Sequence, residues 1–128
     1  MAAQWPRFSR GLPERVMQGA LSVSGIYDLT PIVRTPSINA DIRLTDADAV
    51  KVSPAFMPPA TRAPVHIAVG GREIGGFRQS HALLAERWAP VIAGDMVCPQ
   101  DNHFSILDAF ADPDAELCQA AIRMMGLG

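Results

Sequence analysis

Apolar and polar positions follow two rhythms along the chain. Residues 19–25, Gly-Ala-Leu-Ser-Val-Ser-Gly, are small and apolar and are closed by glycine at both ends, a pattern that predicts a buried strand. Residues 64–71, Pro-Val-His-Ile-Ala-Val-Gly-Gly, are β-branched, apolar and terminated by two glycines, the clearest strand of the sequence. Residues 93–98 predict a weaker third strand that stops at Pro99. Between the last two, Phe77, His81, Leu84 and Trp88 recur at helical spacing over residues 77–88, and Pro90 marks the end.

The remaining pieces are shorter. Residues 14–18 and 29–33 each predict a helical turn, and Thr45 caps a helix over 45–50 with Asp46 and Asp48 in its first turn. Residues 53–64 hold Pro54, Pro58, Pro59 and Pro64 and read as loop. A polar loop over 100–103 precedes an apolar helix over 104–110. Asp112-Pro113 then opens a last helix, with Ala115, Cys118, Ala121, Ile122 and Met125 as its buried stripe and Gly126 as its stop. Strands apolar on both sides, alternating with helices, predict an α/β fold with a parallel sheet covered on both faces. Three strands would leave apolar edges open, so the expectation is a partial domain: a lead-in over 1–18 and the strands and helices of a larger sheet over 19–128.

Length and composition narrow the function. A chain of 128 residues holds one domain, and 48% apolar with 19% charged residues is a globular composition. A net charge of -2 argues against a nucleic-acid partner, which calls for a basic face. No apolar run is long enough for a bilayer, and the first residues lack a signal-peptide pattern. The expected location is therefore cytoplasmic, without a membrane partner. Cys98 and Cys118 lie far apart with only His103 between them, which reads as free thiols in a reducing compartment rather than a zinc site. His66 alternates with strand residues and His81 lies on the helix stripe, so both read as packing groups, and no histidine pair has metal-ligand spacing.

Two residues stand where α/β sheets carry chemistry, beyond the carboxyl ends of strands. Glu73 follows the strand over 64–71, and His103 follows the strand over 93–98. Taken singly, each is more often a solvated loop residue. Taken together they have the acid-then-histidine order of a hydrolase triad, in which the nucleophile comes first on a glycine-flanked elbow. None of the serines at 9, 22, 24, 37, 53, 80 and 105 has glycine both two residues before and two residues after it, and Ser22 and Ser24 read as small strand-packing residues.

Several motifs in order carry a resemblance. Gly19-Ala-Leu-Ser-Val-Ser-Gly-Ile-Tyr-Asp-Leu29, Asn39-Ala-Asp-Ile-Arg-Leu44, Ser53-Pro54, Val69-Gly-Gly-Arg-Glu73, Phe77-Arg-Gln-Ser80 and Val97-Cys-Pro-Gln-Asp-Asn-His-Phe-Ser105 resemble stretches of the kynurenine formamidase-like (arylformamidase-like) α/β hydrolases. Trp5-Pro6 resembles the lead-in that follows that family's nucleophile helix. Two departures stand out: the family often has aspartate where this chain has Glu73, and the Ile-Gly-Gly stretch before Phe77 is one residue shorter and not acidic.

The resemblance implies the carboxyl-terminal part of a serine hydrolase that acts on carboxylic esters or N-formyl aryl amides, without metal or organic cofactor. His103 would be the base and Glu73 the acid that orients it, with Ile26, Tyr27 and Phe104 lining the acyl or aryl pocket. The nucleophile elbow would lie upstream, so the 128 residues alone would be inactive. The expected partners are a small ester or formamide substrate, and either a missing amino-terminal half or a second copy on an exposed sheet edge. The competing expectation is a non-catalytic remnant or interaction module.

Overall fold

The computed structural model describes residue 11 and residues 16–127. Its elements run β1 (Ala20–Val23), α1 (Thr30–Val33), α2 (Pro36–Ile42), α3 (Asp46–Val52), a 3-10 turn (Pro54–Phe56), β2 (Val65–Gly70), α4 (Gly75–Arg87), β3 (Ile92–Cys98), a 3-10 helix (Ser105–Phe110) and α5 (Glu116–Met124). The strands form one parallel sheet in the order β1-β2-β3, and the α/β class expected from the pattern is the observed one. The Trp5-Pro6 lead-in and the start of the turn expected over 14–18 lie outside the described residues.

The central strand explains why its sequence is apolar throughout. Val65, Ile67, Ala68, Val69 and Gly70 are buried, because neighbours cover β2 on both edges and both faces. On one face Val65 and Ile67 pack with Ala20, Tyr27, Ala55, Leu84 and Trp88. On the other, Ala68 and Met96 pack with Ile106, Leu117 and Ala120. Full burial of a side chain the size of Ile67 or Leu84 contributes about 1.5–3 kcal/mol, so these two clusters hold the layers together. β3 alternates exposed Ala93, Asp95 and Val97 with more protected neighbours, as suits the outer strand of the described sheet.

One helix was unexpected, and two expectations for α5 need correction. α2 was not foreseen; its two branched apolar residues, Ile38 and Ile42, are both exposed, so it has no buried stripe for a periodicity to register. α5 starts after Asp112-Pro113 rather than there, because Asp112 closes a turn by accepting from the Asp114 N–H. Its buried residues are Leu117 and Ala120, not the stripe through Cys118 and Met125, and Met125 is exposed. Small apolar residues on several sides of this helix allow more than one stripe, and the larger Leu117 takes the sheet. The cap on α3 forms as expected, with the Thr45 hydroxyl accepting from the Asp48 N–H.

Candidate functional site

The site is assembled at the carboxyl ends of the strands. Beyond β2, the chain turns at Gly70–Glu73, closed by a hydrogen bond from the Glu73 N–H to the Gly70 carbonyl. Beyond β3, the loop over 99–104 runs alongside. The Gly71 N–H donates to the Cys98 carbonyl and the Arg72 N–H to the Asp101 carbonyl, which prolongs the strand ladder into both loops. The two loops touch so closely that a Cβ on Gly71 would stand 2.8 Å from the backbone of Pro99, and one on Gly70 would stand 2.5 Å from the Asp101 carbonyl oxygen. Glycine is what permits this approach. The Arg72 guanidinium also donates to the Gln100 side-chain carbonyl.

Glu73 and His103 meet. The His103 Nδ1 lies 2.9 Å from Glu73 Oε2. The other carboxylate oxygen accepts from the Ser24 hydroxyl at 2.5 Å and from the Gly70 N–H at 2.8 Å. The Glu73 side chain is fully buried while that of His103 is 42% exposed. Burial pushes the Glu73 carboxyl up, but the hydrogen bonds from Ser24, Gly70 and His103, with the charge of His103, outweigh it and hold the pKa below the ordinary carboxylate value. An ionised carboxylate only accepts hydrogen bonds, so Nδ1 carries a proton, and whenever the ring is neutral Nε2 is its lone-pair acceptor.

The ring is also held by its neighbours. Phe77, at the start of α4, lies against it with centroids 4.3 Å apart, and Phe104 meets it edge-on at 5.5 Å. Asn102 fixes the loop by accepting from the N–H groups of Phe104 and Ser105, while the Ser105 hydroxyl accepts from the Asn102 N–H and donates to Asp101. Ser24, Phe77 and Asn102 had no site role in the sequence reading. Asn102 sits inside the histidine motif and Phe77 inside the helix motif, whereas Ser24 carried only the signal of a Ser-Gly pair ending a strand.

The other expected lining residues separate. Phe104 is 81% exposed beside His103, and Ile26 is 46% exposed. Tyr27 is a core residue, 7% exposed, with its hydroxyl donating to Ser22 and its N–H to the buried Ser80 hydroxyl. Its ring packs in the core cluster with Val65, Ile67, Leu84 and Trp88. His81, expected to pack against the sheet, is buried and bonded through Nε2 to Asp95 on β3 at 2.6 Å. Cys98 and Cys118 are free thiols. Burial, followed by the charges of Asp101 and Glu116, raises the Cys98 pKa, which disfavours a reactive thiolate. Among the described residues no cluster of potential ligands could hold a metal ion, and no helix is long and apolar enough to cross a membrane.

The three-stranded parallel sheet with flanking helices is of the α/β class, like that of a hydrolase-like structural neighbour. The relatives point the same way. The chain is 29% identical over 136 residues to a kynurenine formamidase of Salmo salar, covering 98% of this chain and 44% of that protein. It is 28% identical over 119 residues to a kynurenine formamidase of Danio rerio, covering 86% of this chain and 40% of that one. A crystal structure from Silicibacter sp. TM1040, described as a "putative thioesterase", superposes with a TM-score of 0.73 at 25% identity, covering 89% of this chain and 42% of its own. The chain thus spans less than half the length of each of these proteins. No family model matches the sequence.

Proposed function

We propose that these residues supply the acid and the base of a serine hydrolase acting on N-formyl aryl amides or carboxylic esters. The observation that carries the reading is the hydrogen bond from His103 Nδ1 to a buried carboxylate, which leaves Nε2 on a half-exposed ring as the proton acceptor. In the reaction, a serine hydroxyl attacks the carbonyl carbon as Nε2 takes its proton; His103 then returns that proton to the leaving amine or alkoxide, and Glu73 stabilises the transient imidazolium. The names of the curated relatives support the formamide as substrate.

The serine comes from outside the described residues in this reading. Ser24 bonds the Glu73 oxygen that His103 does not, Ser37 lies exposed on α2, Ser53 and Ser80 are buried, and Ser22 and Ser105 are engaged with Tyr27 and Asp101. Among the described residues, no hydrogen bond reaches His103 Nε2. The relatives' additional length would provide the elbow, on a strand paired with the edge of β1 that no described strand covers. That edge would otherwise remain open to a second copy of the chain.

The test is to express the longest open reading frame containing these residues and assay it on N-formylkynurenine and a short-chain aryl ester. Turnover, with labelling of one serine by a fluorophosphonate, is expected, and His103→Ala should abolish the turnover. Turnover indifferent to that substitution, or none from a folded protein that has a glycine-flanked elbow serine, overturns the proposal. The latter result would favour an interaction module.

A further inference from the structure

Ser24 is placed by an unusual backbone. It follows β1, its N–H donates to the Ala68 carbonyl of β2, and its φ is 52°. Outside glycine, that left-handed region is sparsely populated and tends to be retained where surrounding structure enforces it, often at functional sites. The conformation has a consequence here: the hydroxyl lies 2.5 Å from Glu73 Oε1, 49 residues away in sequence. The same oxygen takes the Gly70 N–H, while Oε2 faces His103. A carboxylate gripped by two donors on one oxygen cannot swing about its terminal torsion, so its other oxygen stays aimed at the imidazole.

We propose that Ser24 is a positioning residue, which locks the Glu73 carboxylate in the orientation that holds His103. It touches neither the base nor any substrate, and acts through Glu73. The kinetic consequence rests on the hydrolase reading above, whereas the structural one does not. Two variants separate the hydroxyl from the backbone. Ser24→Ala removes the donor and keeps the strained conformation; Ser24→Gly removes the donor and relieves the strain.

The experiment follows the Glu73 side-chain carboxyl by carbon-detected NMR as pH is lowered, in the 128-residue chain and both variants. Losing one donor to a charged acceptor should raise the midpoint by about one unit in Ser24→Ala and in Ser24→Gly alike. An unchanged midpoint in the folded Gly variant overturns the proposal. In the longest expressed reading frame, both variants should lower kcat about tenfold with KM unchanged, as for other groups that orient a reacting side chain. A kcat equal to that of the parent overturns the positioning role. If the parent shows no turnover, the hydrolase reading fails while the titration still decides whether Ser24 holds Glu73.

Discussion

Among the described residues two histidine–carboxylate pairs stand out, and they are built inside out relative to one another. In His103–Glu73 the acid is buried and the ring is 42% exposed; in His81–Asp95 the ring is 6% exposed and the acid 48% exposed. The His103 carboxylate has two further donors. The His81 ring has the opposite deficit, since its Nδ1 is buried with no hydrogen-bond partner. A base must offer its free nitrogen to a substrate while its orienting acid is shielded from water, which strengthens their interaction. Only His103 meets that condition. His81 spends its nitrogen on tying α4 to β3, and the difference between the pairs lies in which member each element buries.

The largest effect that would sharpen this contrast is kinetic. In the longest reading frame, His103→Ala should reduce kcat by several orders of magnitude, and Glu73→Gln by about 10⁴ if it behaves like the acid of the serine-protease triad. His81→Ala should leave kcat within a few-fold. Equal losses at His81 and His103 would break the distinction, because the buried ring would then be part of the chemistry.

Glu73 and His103 were legible in the sequence because each follows a strand whose apolar run stops abruptly, and the order of strands puts acid before histidine. The strand ends are local properties of the pattern, and the parallel order of the strands then brings them side by side. Ser24 was not legible: its role depends on a left-handed backbone and on an oxygen that β2 delivers from far along the chain. The sequence made it one small residue among several. Tyr27 shows the same limit, since its place at a strand exit suggested a pocket wall but gave no sign of the bonds to Ser22 and Ser80 that hold it in the core. The β-strands could be read because burial on both faces demands continuous apolar residues; α2, with no buried residue, left no such trace.

The second effect belongs to the other pair. Truncating the buried His81 to Ala leaves a cavity between α4 and β3 and removes the bond to Asp95. The expected destabilisation is about 2–3 kcal/mol, measured as a lower urea midpoint. His81→Leu should recover most of it, because it refills the space and eliminates the unpaired Nδ1. Should Leu be as damaging as Ala, the bond to Asp95 rather than the packing is what His81 supplies.

Gly71 tests the first pair without touching either member. A methyl there meets the Pro99 backbone at 2.8 Å, and those atoms cannot turn aside as a flexible side chain would. Gly71→Ala should cost about 1–3 kcal/mol through overpacking and spread the acid and histidine loops apart. The His103–Glu73 contact should weaken while His81–Asp95, which ties α4 to the middle of β3, stays intact. Ring-proton shifts of the two histidines report this directly: movement at His103 alone is expected, and movement at His81 alone would contradict the tie between the two loops.

The smallest effect is the response of stability to acid. The Glu73 carboxyl has a folded-state pKa below its ordinary value of 4.5, because its hydrogen bonds favour the charged form more than burial opposes it. The unfolded chain therefore binds this proton more tightly than the folded one. The stabilisation is fully present above the ordinary value, and it is lost progressively as pH falls from there through the lower folded-state pKa. Glu73→Gln removes the titrating group, so between about pH 6 and about pH 3.5 its urea midpoint should fall less than that of the parent. The comparison concerns slopes, so any change in stability at neutral pH drops out. Parallel declines would mean that the Glu73 carboxylate is not preferentially ionised in the fold.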